Sequence, residues 1–216
     1  YKLAIFDECH HLPANTFIRF STIQAEYRVG LSATPHREDG RENYIIALTG
    51  YPVGLDWKRF FEKNIIRRPQ VTLYILKDMR SKRKYLDQIL TQDTGKTLIF
   101  CDSLEAGEEI ARSFDLVFIS GETRDRIEKV ELNQRVVISR VGDQGMHIPE
   151  IDTIIEYDFL YGSRRQEAQR SGRLLHSHKE ETNHYVLMTA QELEKYGKRL
   201  LSLYQHGYRV RREFIV

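Results

Sequence analysis

Runs of four to six apolar residues alternate with stretches of helical periodicity along almost the whole chain. The clearest runs are Leu3–Phe6, Tyr27–Ser32, Thr97–Cys101, Leu116–Ile119, Arg135–Ser139, Thr153–Tyr157 and His184–Met188. Each is apolar on consecutive positions, as strands of a parallel sheet buried on both faces are. Helical patterns lie between them: LEAGEEIARSF after Asp102, SRRQEAQRSGRLL from Ser163, and TAQELEKYGKRLLSLYQ, the longest. Asp102 stands three residues before Glu105 and reads as a capping box. This rhythm predicts an α/β fold, a parallel sheet flanked by helices.

The strands are unevenly distributed. Five follow residue 95 and suffice for a complete sheet, whereas the segment before residue 50 holds two. Fifty residues with two central strands cannot bury a core unaided, since domains of ~60 residues are already marginal. The expected organisation is therefore the C-terminal part of a truncated first lobe over 1–49, a connection over 50–80, and a complete second lobe over 81–216. The opening Tyr1, where a native start would be Met, agrees with a fragment or a processed chain.

Composition narrows the class. At 41% hydrophobic and 30% charged, the chain has the balance of an ordinary globular protein. No apolar run approaches the ~20 residues that cross a bilayer, and no basic-then-apolar leader opens the chain. An intracellular setting without a membrane partner is expected. The formal charge of +2 and pI near 8.5 permit nucleic acid as a partner without arguing for it. Cys9 and Cys101 each follow an apolar run and read as buried, reduced thiols. Cys9-His10-His11 invites a zinc reading, but no second cluster with ligand spacing completes a tetrahedral site.

The first strand ends in Asp7-Glu8. Adjacent carboxylates at the carboxyl edge of a parallel sheet are suited to hold magnesium and orient a water for nucleotide hydrolysis. Such a site also needs a phosphate cradle. Thr94-Gly95-Lys96-Thr97 resembles the end of one, but Leu90 stands where G-x-x-x-x-G-K-[ST] needs glycine, and the segment opens a strand rather than a helix. It reads as a turn.

Four elements fall in a fixed order: Asp7-Glu8-Cys9-His10, Leu31-Ser32-Ala33-Thr34-Pro35, SRVGDQGMHIP from Ser139, and Gln169-Arg170-Ser171-Gly172-Arg173. This order resembles the superfamily 2 helicases, and HREDGR at 36–41, YGSRRQEAQRSGRLL from Tyr161, DECHHLPA and KRLLSLYQHGYRVRREF resemble the XPB-type branch in particular. The resemblance covers nearly the whole chain. It implies the RecA-like P-loop NTPase core of a DNA helicase or translocase in repair or transcription, with ATP hydrolysed between two lobes. Asp7 would hold Mg2+, mostly through water, and Glu8 would activate the attacking water. Gly145 and Arg173 would contact nucleotide, Arg173 as an arginine finger with Gln169 and Arg170 as neighbours in the cleft. Ser32, Thr34 and Asp143 would couple nucleotide state to lobe movement. DNA would meet Arg37, Glu38 and Asp39 in the first lobe and Ser103, Thr123 and Ser139 in the second, where contacts to phosphate position without specifying sequence. Partners so implied are DNA, the upstream half of the helicase, and either a repair nuclease in an archaeal cytoplasm or TFIIH-like subunits in a eukaryotic nucleus. The 216 residues alone are expected to be inactive.

Three departures matter. His176 stands where the family's last motif has a second arginine, and His147 where the preceding motif has aspartate. A neutral imidazole is a poor substitute for a permanently charged fork of donors. Between Asp78 and Met79 the family carries a helical thumb, and here the join is direct: either the protein lacks the thumb or its residues are missing from this chain. Two other readings stay open beside the motor: a non-catalytic module binding DNA or a repair partner, and a restriction-type translocase, against which SRRQEAQRSGR argues.

Overall fold

The computed structural model describes residues 1–32, 40–54, 57–93, 95–143, 148, 150–160 and 163–215, without the side chains of Glu42 and His176. Thr34, Arg37, Glu38, Asp39, Gly145 and His147 therefore lie outside the described residues. The chain divides into two compact units, 1–55 and 56–216.

In the first unit, β1 (Leu3–Phe6) pairs in parallel with β2 (Tyr27–Gly30), Leu3 opposite Tyr27 and Phe6 opposite Gly30. A 3-10 turn at Cys9–His11 follows β1, and α1 (Glu42–Thr49) packs Ile45 against Cys9 and Leu12. Gly30 is required for this closure, because a Cβ there would meet Cys9 Sγ and Thr49 at 2.9 Å.

The second unit is a seven-stranded parallel sheet in the order β5-β6-β4-β7-β8-β3-β9. Its strands are β3 (Gln70–Leu76), β4 (Thr97–Cys101), β5 (Val117–Ile119), β6 (Arg135–Ile138), β7 (Thr153–Asp158), β8 (Asn183–Thr189) and β9 (Val210–Ile215). Its helices are α2 (Trp57–Glu62), α3 (Met79–Gln92), α4 (Leu104–Phe114), α5 (Arg126–Leu132), α6 (Arg164–Gly172), α7 (Ala190–Tyr196) and α8 (Leu201–Gln205). Strand alternation divides the core in two. Ile99, Cys101, Val137 and Ile155 face α3 and α4, packing on Leu86, Ile89 and Ile110. Leu98, Phe100, Val136, Ile138 and Ile154 face the opposite layer with Val130 of α5 and Leu174.

The fold departs from the sequence reading at several points. β3 lies inside the stretch 50–80 expected to be a connection, yet it pairs along its length with β8 and β9. The 17-residue pattern from Thr189 breaks at Gly197, where a 3-10 turn (Gly197–Leu200) leads into α8, and α3 is the longest described helix at 14 residues. The N-cap of α4 is Ser103, whose hydroxyl accepts from Ala106 N at 3.0 Å. Asp102 is instead drawn inward, and the capping box belongs to Thr189 and Glu192 of α7. Glu192 also binds fully buried Lys82 of α3 at 2.8 Å, with the ammonium over Tyr157 at 4.8 Å and Phe159 at 5.0 Å. The segment Gly95-Lys96-Thr97 forms the predicted turn into β4, Lys96 N donating to Asp152 at 2.8 Å.

Candidate active site

In the first unit, the carbonyl end of β1 delivers Asp7 and Glu8. Glu8 takes a left-handed backbone, φ 49° and ψ 47°, uncommon for a residue with a Cβ. Its amide donates to Asp7 Oδ1 at 2.9 Å, which orients the exposed carboxylate of Asp7. The chain is then tied to the end of β2: Leu31 N donates to Phe6 O, and Cys9 N to Leu31 O, both at 2.9 Å. Buried His10 joins the two motifs, its Nδ1 lying 2.8 Å from Ser32 Oγ and 3.2 Å from Glu8 Oε2. Ser32 and Glu8 thus share one imidazole. The sequence reading weighed His10 only as a zinc ligand and missed this link. Oxygen-only carboxylate donors on an exposed strand end suit a hard cation such as magnesium.

In the second unit, α6 opens on Ser163, which caps it through Gln166 N at 3.4 Å. Arg170 departs from its expected place as a neighbour of nucleotide. It is fully buried and occupied: Nε donates to Asp143 Oδ1 at 2.6 Å, Nη1 to Glu156 Oε2 at 2.9 Å, and Nη2 to Asp102 Oδ1 at 2.6 Å. Its guanidinium also stacks on Phe100 at 4.4 Å. Every direction of the fork is used, so Arg170 positions other groups. Asp143 additionally accepts from Gln166 Nε2.

A second guanidinium completes the cluster. Arg199, from the turn before α8, donates to Glu167 Oε2 and Glu156 Oε2, both at 2.8 Å, and reaches Asp102 Oδ2 at 3.5 Å. His184 Nε2 lies 2.9 Å from Glu156 Oε1. Burial pushes the Glu156 carboxyl up, but Arg199 and Arg170, with His184, outweigh it and hold it well below the usual range. Burial and then the charge of Glu156 push Glu167 the other way, up to about 7. Glu167 Oε1 has no hydrogen-bond donor, as suits a carboxyl that keeps its proton. Glu156, Glu167 and His184 place ligand atoms within 4.8 Å of one another. The two guanidiniums already neutralise these acids, so charge disfavours a dication there. Sequence reasoning missed this network, since Glu156, His184 and Arg199 lie inside runs that read as core or as helix surface.

Arg173 follows α6, partly buried, and donates from Nη2 to Gly142 O. Burial lowers its pKa from the usual value, opposed by Asp143. Gln169 is half-buried on α6. Of the three residues of the second unit expected to meet DNA, Ser103 serves as a helix cap and Thr123 Oγ1 accepts from Ser120 N at 2.9 Å. Ser139, at 3% exposed, offers almost no surface. Both cysteines are buried and unbridged, and burial raises their thiol pKa values, as expected of inert core thiols. Among the described residues neither joins a metal-binding cluster.

Sheet, helices and strand-end motifs together define a RecA-like helicase lobe. Solved structures agree on the fold: yeast Dbp5 bound to RNA and ADP BeF3 matches with a TM-score of 0.73 over 99% of this chain and 59% of that one, at 13% identity. Mss116p bound to single-stranded RNA and AMP-PNP matches at 0.66 over 100% and 48%, at 14% identity. A family model described as "ERCC3/RAD25/XPB C-terminal helicase" matches residues 56–211, and one described as "Type III restriction enzyme, res subunit" matches residues 1–37. The chain belongs to the XPB/Rad25 helicase family. A "Putative DNA 3'-5' helicase Rad25" of Halobacterium salinarum is 32% identical over 81% of this chain and 34% of its own length. The XPB/SSL2 helicase/translocase subunit of general transcription and DNA repair factor IIH from Saccharomyces cerevisiae is 29% identical over 94% and 29%. The chain spans about a third of the length of these curated relatives.

Proposed function

We propose that this chain is part of an ATP-dependent DNA translocase of the XPB type, working in DNA repair or transcription. Asp7 would hold magnesium through water, and Glu8 would orient and deprotonate the attacking water. His10 would pass the position of Glu8 to Ser32, and with it the state of the nucleotide. Arg173 would neutralise charge on the transferring phosphoryl group, where an arginine finger is worth ~10³–10⁵ in rate. Thr34, Gly145 and Gln169 would complete the nucleotide and coupling contacts. Arg37, Glu38 and Asp39, with Ser103 and Thr123, would meet DNA, and Ser139 the least of them. ATP supplies the phosphoryl group, and the residues of this chain orient and neutralise. Partners of the whole protein would be TFIIH-like subunits in a nucleus or a repair nuclease in an archaeal cytoplasm. No described helix is long and apolar enough to cross a membrane.

The observation that carries this reading is the locked Arg170: Asp102, Asp143 and Glu156 hold α6 from three sides and leave Arg173, three residues on, beside Gly142. The test is phosphate release with DNA, in a protein extended to the length of its relatives. Arg173→Ala should lower turnover by ~10³ or more, and Glu8→Gln should abolish it while keeping nucleotide affinity. The 216-residue chain alone should turn over no ATP. A full rate in the Arg173→Ala protein refutes the finger assignment.

A further inference from the structure

The chain carries a formal charge of +2, but its basic residues are unevenly placed. Residues 57–68 hold Lys58, Arg59, Lys63, Arg67 and Arg68 against Glu62, and residues 208–213 hold Arg209, Arg211 and Arg212 against Glu213. Together these two short segments carry +6, so the rest of the chain sums to −4. The fold brings them side by side. Trp57 packs on His206 at 4.7 Å, and Phe61 meets Tyr208 edge-on at 5.2 Å. Gly207, with φ +84°, lets the turn after α8 touch the backbone of Lys58, where a Cβ would approach within 3.0 Å. This aromatic staple turns the apolar side of α2 inward. Seven of the eight basic side chains are exposed and the eighth, Arg68, is half-buried.

Between the segments lies an open groove of about 600 Å³, lined by Phe61, Asn64 and Ile66, by the three arginines Arg67, Arg68 and Arg209, and by one acid, Glu62. Arg68 stacks on Phe61 at 5.1 Å, and its buried Nε has no hydrogen-bond partner. No described carboxylate comes within 4 Å of Arg68 or Arg209, and Arg67 has only Glu180, at 3.9 Å. Three arginines therefore line one groove against a single acid, which leaves it an excess of positive charge. Desolvating such charges is costly unless an anion completes them.

We propose that this groove is a second DNA-binding surface, which takes the phosphate backbone of duplex DNA through Arg67, Arg68 and Arg209. It rests on the reading that the chain binds DNA, and it adds a site that the motor motifs do not include. Ser103 and Thr123 follow the carboxyl ends of β4 and β5, whereas the groove precedes β3 and β9 at the amino ends of the strands. β9 stands four places from β4 in the sheet, so the two regions are separated by about 20 Å across the strands and about 20 Å along them. The ring of Phe61 is already covered by Arg68, leaving no open platform on which a base could stack. The contact is therefore to phosphate and blind to sequence.

The test is titration of the 216-residue chain against a labelled duplex of about 30 base pairs across a salt series. Each phosphate contact contributes a slope of about −0.9 in log K against log salt, or about tenfold in affinity at 0.1 M. Arg67→Gln/Arg209→Gln, both at exposed positions, should therefore weaken binding by about 10²-fold and lower the slope by about 2, equally on unrelated sequences. Thermal melting confirms that the variant folds. If the parent chain binds no duplex, the DNA reading itself fails, and this proposal with it. If the parent binds and the variant binds as tightly with the same slope, the groove is no DNA site while the DNA reading stands. A variant that keeps its DNA affinity but loses binding to a polyglutamate peptide also overturns the proposal, since the groove would then take an acidic protein segment.

Discussion

The two units carry strands of similar apolar character and bury them to very different extents. In β4 every residue is inaccessible, because α3 and α4 cover one face and α5 helps cover the other. In β1 alternate residues remain open, with Leu3 at 49% and Ile5 at 60% exposed. The first unit buries Cys9, Leu12 and Ile45 as its apolar cluster, against three larger clusters in the second. An apolar parallel strand requires cover on both faces, and among the described residues the seven-stranded sheet has it where β1 and β2 do not. The polar chemistry divides the same way. In the first unit short links join partly exposed groups, Glu8 to His10 to Ser32. In the second, seven buried ionisable side chains lock one another.

The contrast can be broken at Glu156, which contacts Arg170, Arg199 and His184 together. Glu156→Ala leaves two buried guanidiniums short of a carboxylate, and breaking a buried pair from one side costs about 3–5 kcal/mol. Amide exchange in β4 and β7 should accelerate by about 10²–10⁴-fold, while β1 and β2 should not change. If β4 keeps its protection, apolar packing sustains the second unit and the ion cluster contributes specificity alone.

Glu167 sharpens the same point through pH. Its folded pKa, about 7, lies above the ordinary value near 4.5. The folded state therefore binds a proton that the unfolded state has released. Its contribution is fully present below about 4.5 and is lost as pH rises through 7, by about 3 kcal/mol. Glu156 acts in the opposite sense: its depressed pKa stabilises above 4.5 and is lost as pH falls further. Chemical denaturation of the second unit should thus show a decline between pH 5 and 7.5 that Glu167→Gln removes. A decline that persists in the variant assigns the proton to another group.

Much of this was legible in the sequence. All seven predicted strands are present within two residues at either end, and Ser163 opens α6 as read. The failures share a cause: they concern groups whose role depends on distant neighbours. β3 follows Arg67-Arg68-Pro69 and resembles a linker until β8 and β9 flank it. β9 is missing from the predicted strands because Arg211, Arg212 and Glu213 interrupt its apolar positions at a sheet edge. Arg199 looks like helix surface and Glu156 like a lone acid in a strand. Only the folded sheet brings them to Arg170, which the motif alone had placed against nucleotide. His10 was hidden likewise, since Ser32 lies 22 residues away.

Ser103 carries the smallest expected effect and separates two roles for one hydroxyl. It caps α4 through Ala106 N, whereas α1 in the first unit opens on Arg41 with no side-chain cap. Ser103→Ala should therefore destabilise the second unit by about 1 kcal/mol. Ser103→Asp preserves the cap, since aspartate accepts from the same amide and suits the positive end of the helix. It also sets a negative charge where a phosphate is proposed to lie. Stability should hold in the aspartate variant while duplex affinity falls by about tenfold, the effect of about one phosphate contact. If the variant binds duplex as tightly as the parent, Ser103 is a helix cap, and the second unit meets DNA through other groups.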